Sequence, residues 1–159
     1  MIEFTHSELV EIAYKWVMQR SGFAFKELKT CNEEPDVIGF RSGESFLVEC
    51  KKTRSDFLSD KNKPFRIRPE LGMGKFRFFL CPKDLISIEE LPENWGLIYV
   101  NEKGKARCVY NPYGKGNIYS SWDCFSPRNE SAERQMMYSA LRRLQIRGLV
   151  KEIYTKIDQ

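Results

Sequence analysis

The sequence predicts an α/β (α+β) fold, and three features of the apolar pattern indicate it. Residues 6 to 20 repeat apolar side chains with the period of an amphipathic helix, and residues 130 to 147 do the same near the other end. Between them lie several short runs rich in β-branched and aromatic residues, separated by glycine, proline and asparagine. The chain is 42% apolar and 13% aromatic, which is enough to build a hydrophobic core.

The elements can be placed in order from these patterns. The first helix ends near Ser21-Gly22, because glycine after the last periodic residue is typical of a helix end. The elements expected after it are a strand over 23–29, a hairpin of 36–40 with 45–51, a short helix over 55–61, a basic loop punctuated by prolines and glycines over 64–74, a strand over 75–81, a helical turn over 84–91, a second hairpin of 96–100 with 105–110, a long loop over 113–128 and a C-terminal helical extension over 129–159.

Length and composition limit the classes of protein. A chain of 159 residues is expected to form one domain, residues 1–159. We find neither an apolar run long enough to span a membrane nor a signal peptide, and we therefore expect a cytoplasmic protein without membrane partners. Cys50, Cys81 and Cys108 fall in strand-like runs and are expected to be buried free thiols.

The first hairpin carries the most informative residues. If Ser42-Gly43 forms the tip, opposed residues have numbers that sum to 85, and Asp36 lies across from Glu49. Side chains alternate along a strand, so Glu49 and Lys51 point to one side and the side chain of Cys50 to the other. Two carboxylates and one amine should therefore meet at the end of the hairpin.

This arrangement is typical of a metal site. Opposed like charges destabilise a sheet unless a positive charge separates them, and Mg²⁺ prefers oxygen ligands. Asp36 and Glu49 are the expected ligands, and Lys51 would orient a water or offset charge on a phosphate. Taken singly, each of these residues would be read as an ordinary charged surface residue, and their joint placement favours the site.

Pro35-Asp36 followed by Glu49-Cys50-Lys51 resembles the PD-(D/E)xK signature of the restriction-endonuclease-like nuclease superfamily. The stretch from Lys52 to Lys61 is similar to that of MmcB-like DNA repair proteins, and residues 69–82 to that of phage-encoded proteins. The resemblance covers roughly residues 5 to 112.

The resemblance implies an αβββαβ core with a central mixed sheet flanked by helices. It also implies that Asp36, Glu49 and the Cys50 backbone carbonyl bind Mg²⁺ or Mn²⁺, and that Lys51, Asp36 and Glu49 are catalytic.

Related nucleases often add a glutamate from the first helix. Glu8 and Glu11 both qualify by position, and Glu8 is favoured because it flanks the apolar stripe of the helix. The alternative for Glu8 is a capping box with Thr5, in which its carboxylate only closes the helix start.

Positive charge is concentrated directly after the proposed catalytic strand. The chain carries +4 overall, whereas residues 51–77 hold nine Lys or Arg against three acids, or +6. Such a patch would neutralise DNA phosphates without reading sequence. The residues expected to bind DNA are Lys52, Arg54, Lys61, Lys63, Arg66, Arg68, Lys75 and Arg77.

The C-terminal helix has an apolar side that is expected to pack on the sheet, on a second copy in a homodimer, or on a protein partner. His6 is the one histidine in the chain, so zinc catalysis and histidine-assisted proteolysis lack their usual residues. Gly72-Met73-Gly74-Lys75 is not a P-loop, because the required earlier glycine and the following Ser or Thr are absent.

These observations predict a metal-dependent DNA nuclease acting in DNA repair, recombination or phage DNA metabolism. The alternative is a non-catalytic DNA-binding or adaptor protein that retains the nuclease fold.

Overall fold

The computed structural model describes residues 3–30, 33–114 and 127–157. Within these ranges the chain forms a six-stranded mixed sheet flanked by helices, as the sequence predicts. The strands are β1 (Ala24–Lys26), β2 (Val37–Arg41), β3 (Glu44–Cys50), β4 (Phe76–Pro82), β5 (Trp95–Val100) and β6 (Ala106–Tyr110). The helices are α1 (His6–Ser21), α2 (Arg54–Asp60), α3 (Pro64–Ile67) and α4 (Glu130–Ile146), with 3₁₀ turns at Pro69–Leu71, Ile88–Glu90 and Val150–Tyr154.

The strands lie in the sheet in their chain order. β1, β2 and β3 are antiparallel, β3, β4 and β5 are parallel, and β6 returns antiparallel to β5. Parallel neighbours need a crossover connection, and α2 and α3 lie in the one between β3 and β4. Because β1, β2 and β3 are antiparallel neighbours, the ends of β1 and β3 and the start of β2 meet at the same edge of the sheet.

Helix α1 covers one face of the sheet. Leu9, Ala13 and Val17 are fully buried there against β-strand residues that include Val48 and Phe78. The helix approaches β2 so closely that a Cβ atom on Gly39 would lie 2.3 Å from Val17 Cγ1. Any larger residue at that position would force the side chains of Val17 and Ser21 to move.

The other face of the sheet is covered by the chain that follows β3 and by the start of α4. Leu47 and Phe79 pack there with Phe57 of α2 and Met136 of α4. The Ser45 hydroxyl donates to Glu133 Oε1 at 2.5 Å, which ties α4 to β3. Farther along the helix, side chains such as Tyr138 are exposed. The expectation of a homodimer or partner at this helix remains a prediction.

Several predicted elements need correction. The expected basic loop over 64–74 contains α3 and a 3₁₀ turn, because Pro64 and Pro69 each occupy a first helical position that needs no N–H donor. The first strand is shorter than predicted, and the helical turn after β4 is the 3₁₀ turn Ile88–Glu90. Cys50 and Cys81 are buried as expected, whereas Cys108 is partly exposed on β6.

Most of the predicted long loop, residues 115–126, lies outside the described residues, and residues 113, 114, 127 and 128 belong to no helix or strand. Across the described ranges, the helices are too short or too polar to cross a lipid bilayer.

Candidate active site

The β2–β3 hairpin has the predicted register. Arg41 pairs with Glu44, Ile38 with Leu47, and Val37 with Val48. Ser42 turns with a positive φ of 53°, which places the tip at Ser42-Gly43. Continuing this register beyond the last paired residues sets Asp36 across from Glu49.

A hydrogen bond holds the Asp36 carboxylate at the end of β3. The Cys50 N–H donates to Asp36 Oδ2 at 2.7 Å, and the Asp36 backbone oxygen accepts from the Glu27 N–H at 3.0 Å. Asp36 is therefore fixed between β1 and β3. Pro35 lies opposite Cys50 in the continued register and has no N–H to offer the Cys50 carbonyl, which suits the predicted ligand role of that carbonyl.

Glu49 and Lys51 point away from α1 and toward the α2–α3 segment, as the alternation of side chains requires. Both residues are buried, with exposed fractions of 3% and 5%. Lys51 Nζ lies 3.8 Å from Glu49 Oε2. Lys63 Nζ lies 3.4 Å from the same oxygen, and Arg66 Nη2 lies 3.5 Å from Glu49 Oε1. The Glu49 charge is thus surrounded by three cations at relatively long distances.

Asp60 is a site residue that the sequence analysis did not identify. It ends α2 with an exposed fraction of 2%, and its carboxylate makes the shorter ion pairs of the cluster. Lys51 Nζ lies 2.7 Å from Oδ1, Lys63 Nζ lies 3.0 Å from Oδ1, and Arg66 Nε lies 2.5 Å from Oδ2. A sequence signal existed, because Asp60 follows the apolar Phe57 by three residues and shares its helix face.

His6 is a second residue that was overlooked at this edge. Its Nε2 atom lies 3.3 Å from Asp36 Oδ1 and 3.6 Å from Glu27 Oε1. Ligand atoms of these three residues all lie within 4.8 Å of one another. No local sequence pattern joins them, because they come from α1, the end of β1 and the start of β2.

The expected contribution of Glu8 is corrected. Glu8 Oε2 accepts hydrogen bonds from the Thr5 N–H at 2.7 Å and the Thr5 hydroxyl at 2.8 Å, so the capping-box alternative is confirmed. Glu11 forms an ion pair with Lys26 on the surface. The carboxylate of each is therefore engaged elsewhere, and the contact from α1 to Asp36 comes from His6.

The pKa values of Asp36 and Asp60 are shifted in opposite directions. Burial, together with the nearby charge of Glu49, raises the pKa of Asp36 to about 6, against the lowering effects of the Cys50 N–H and of His6. Burial also disfavours the Asp60 charge, but the charges of Arg66 and Lys51 outweigh it and lower the pKa of Asp60. Asp36 therefore carries a poorly compensated charge, whereas Asp60 is stably ionised.

Some of the cations expected to bind DNA are exposed. Lys61 and Arg68 are exposed, Lys63 is 39% exposed at its side chain, and Lys52 is 35% exposed. Arg54 is also exposed, but both of its terminal nitrogens donate to Glu90, at 2.8 and 2.6 Å.

Three of the expected DNA-binding residues have side chains that are engaged within the protein. Arg77 is 5% exposed and donates to the carbonyls of Pro69, Gly72, Gly74 and Pro127. The Arg66 side chain lies in the Asp60 cluster. Lys75 pairs with Glu44 at 2.8 Å, and its side chain is 12% exposed. These side chains are engaged with acids or backbone carbonyls of the fold, and their role in DNA binding stays a prediction.

Comparisons with known proteins bear on the fold alone. No protein-family model matches the chain, and no curated protein matches it. A solved structure of a protein of unknown function from Silicibacter pomeroyi is similar over 99% of this chain and 100% of its own, with a TM-score of 0.56 and 20% sequence identity. The chain thus shares its α+β architecture with a solved protein.

Proposed function

We propose that this protein is a cytoplasmic, metal-dependent nuclease of the PD-(D/E)xK type that hydrolyses phosphodiester bonds of DNA in repair, recombination or phage DNA metabolism. The observation that carries the proposal is the hydrogen bond from the Cys50 N–H to the Asp36 carboxylate. It brings the first acid of the motif to the strand end that carries Glu49 and Lys51. Three groups that the motif requires therefore meet at one edge of the sheet.

The donor atoms suit Mg²⁺ or Mn²⁺. Both ions favour carboxylate oxygens, and Asp36 and Glu49 supply two such groups. The charge of Glu49 helps to raise the pKa of Asp36, and a bound cation would offset that repulsion. A metal bound there would polarise a phosphate oxygen and acidify a bound water.

Lys51 is the proposed catalytic cation. Its amine carries three donors, one of which is directed to Asp60 Oδ1 at 2.7 Å. Asp60 would thus act as a positioning residue that holds the Lys51 amine in place. The remaining donors are suited to a phosphate oxygen or to the attacking water.

The exposed cations are the proposed contacts to the DNA backbone. Lys61 and Arg68 are exposed, and Lys52 and Lys63 are partly exposed. Lys63 also pairs with Asp60 and Arg68 with Glu70, so these two would exchange a carboxylate for a phosphate when DNA binds. Each phosphate that they neutralise would release a counterion, so binding should weaken as salt increases. These contacts carry no base-specific information.

A second function is favoured by a different observation. Glu49 and Lys51 are both enclosed in the ion-pair cluster of Asp60, Lys63 and Arg66. Such a cluster is also what a non-catalytic DNA-binding or adaptor protein would retain, with the acidic site idle. The two functions differ in their requirement for a metal.

The test is incubation of wild type and Lys51→Ala with single-stranded, double-stranded, nicked and branched DNA, each with Mg²⁺ or Mn²⁺. Lys103→Ala is the matched control, because Lys103 is exposed in the β5–β6 turn. We expect cleavage by wild type and Lys103→Ala, none by Lys51→Ala, and DNA binding by all three. Equal cleavage by Lys51→Ala would contradict the proposed site. If all three proteins bind DNA without a metal and none of them cleaves it, the result would support the adaptor function.

A further inference from the structure

We infer that His6, Glu27 and Asp36 form a binding site for one divalent transition-metal ion, such as Zn²⁺ or Mn²⁺. This site lies on the opposite side of the Asp36 carboxylate from the N–H of Cys50. It shares Asp36 with the proposed nuclease site, but it uses neither Glu49 nor Lys51. The inference concerns binding alone and holds whether or not the protein cleaves DNA.

The spacing of the ligand atoms fits a single ion. Two ligands that each lie about 2.1 Å from one metal can be at most about 4.2 Å apart. His6 Nε2 lies 3.3 Å from Asp36 Oδ1 and 3.6 Å from Glu27 Oε1. All three ligand atoms lie within 4.8 Å of one another, so a cation that draws the Glu27 and Asp36 oxygens together could contact all three side chains.

Each ligand is held by the fold. The Thr5–Glu8 capping box fixes the start of α1, and His6 is the first residue of that helix. The Cys50 N–H holds Asp36 Oδ2 and leaves Oδ1 directed toward His6. Glu27 follows β1 with a positive φ of 45°, which is uncommon for a residue other than glycine, and its N–H donates to the Asp36 backbone oxygen. Backbone contacts therefore bring the three residues together before any ion binds.

The surroundings favour a cation. The Asp36 carboxylate contacts the His6 imidazole at 3.3 Å, whereas the ammonium and guanidinium groups of Lys51, Lys63 and Arg66 lie with Glu49 and Asp60. His6 and Glu27 are about half exposed, with side-chain fractions of 46% and 50%. An ion can thus reach the site from solvent without disturbing the buried cluster.

The imidazole determines the class of metal. Carboxylates alone suit Mg²⁺ and Ca²⁺, whereas a histidine nitrogen adds preference for zinc and neighbouring transition metals. One histidine with two carboxylates leaves coordination positions open for water or for a substrate oxygen. The sequence-based exclusion of zinc chemistry considered His6 in isolation and did not foresee Glu27 and Asp36 beside it.

Because His6 is the single histidine of the chain, its imidazole gives one set of NMR signals. We would titrate tag-free protein with Zn²⁺ alone and follow these signals. Calorimetry would compare wild type with His6→Gln and Glu27→Gln. Glu11→Gln is the matched control, because Glu11 is a surface glutamate of the same helix and pairs with Lys26 rather than with the proposed ligands.

We expect one equivalent of Zn²⁺ to shift the His6 signals, and affinity to fall by about tenfold or more in His6→Gln and Glu27→Gln. Glu11→Gln should bind Zn²⁺ like wild type, and His6→Gln should bind Mg²⁺ like wild type. His6 signals that do not respond to Zn²⁺, or equal affinity in all variants, would show an ordinary ion pair and overturn the site. Loss of Mg²⁺ binding in Glu49→Gln tests the proposed nuclease site separately.

Discussion

The surroundings of Glu49 and of Asp36 differ, although both acids lie at the same edge of the sheet. Glu49 is almost fully buried among Lys51, Lys63 and Arg66, so its charge is compensated by the chain itself. Asp36 retains 16% exposure at its side chain and is held by a backbone N–H and a histidine. Opposed acids in a hairpin therefore need not share one counterion. Here the side chains of the fold compensate the charge of Glu49 more fully than that of Asp36.

The largest expected effect is the loss of stability when Asp60 is removed from the ion-pair cluster around Glu49. Asp60→Ala would leave Lys51 and Arg66 buried without their shortest ion pairs. Removing one partner of a buried charge cluster should destabilise the fold by about 3–5 kcal/mol. Chemical denaturation would measure it, with Glu102→Gln in the exposed β5–β6 turn as the control. A loss no larger than that of the control would mean that water already solvates the cluster.

Removing the charge of Asp36, which is poorly compensated, should stabilise the fold rather than destabilise it. Asp36→Asn keeps an oxygen for the Cys50 N–H and removes a charge that burial and Glu49 disfavour. The variant should be more stable than wild type at pH 8 in the presence of a chelator. The pKa of about 6, against an ordinary 3.8, sets an upper bound of about 3 kcal/mol.

The pH dependence of this difference follows from linkage. With its raised pKa, folded Asp36 binds its proton more tightly than the unfolded chain does, so wild-type stability from this group falls as pH rises from about 4 to about 6. Denaturation curves of wild type and Asp36→Asn should converge near pH 4 and separate above pH 6. His6 and Lys51 also lie near Asp36, so each pH should be measured for both proteins. A constant difference across this range would place the Asp36 pKa near its ordinary value.

A smaller effect is expected on Mg²⁺ affinity. Asp36→Asn and Glu49→Gln each remove one proposed carboxylate ligand and should each weaken Mg²⁺ binding by about tenfold, or about 1.4 kcal/mol. Isothermal titration calorimetry would measure both, with Glu44→Gln as a control because Glu44 pairs with Lys75 at the far end of β3. Unchanged affinity in Glu49→Gln would show that the buried cluster excludes the metal from this acid.

The smallest expected effect is on the salt dependence of DNA binding by the basic residues within 51–77. Lys61→Ala should lower the slope of log affinity for DNA against log salt by about 0.9, because one phosphate contact is lost. Lys75→Ala should leave the slope unchanged, since Lys75 already pairs with Glu44. Fluorescence anisotropy over a salt series would separate them. Equal changes in slope would mean that the segment opens when DNA binds.

Local chemistry allowed much of the fold to be predicted from sequence. Ser42-Gly43 and the alternation of apolar residues determine the hairpin register, so the meeting of Asp36 with the Glu49–Lys51 strand end follows from sequence alone. The Thr5 capping box and Gly22 likewise set the bounds of α1. Each of these signals acts between residues that are close in the chain, where turn geometry and periodicity fully specify the contact.

The partners of these residues were decided by the tertiary structure. Asp60 meets Lys51 because α2 folds back over β3, and His6 meets Asp36 because α1 packs on the sheet at one particular angle. Whether a cation faces solvent or an interior carbonyl also depends on distant contacts, as with Arg77 and Pro127. No local periodicity encodes such meetings, because they depend on how separate elements pack and on which buried charges must then be compensated.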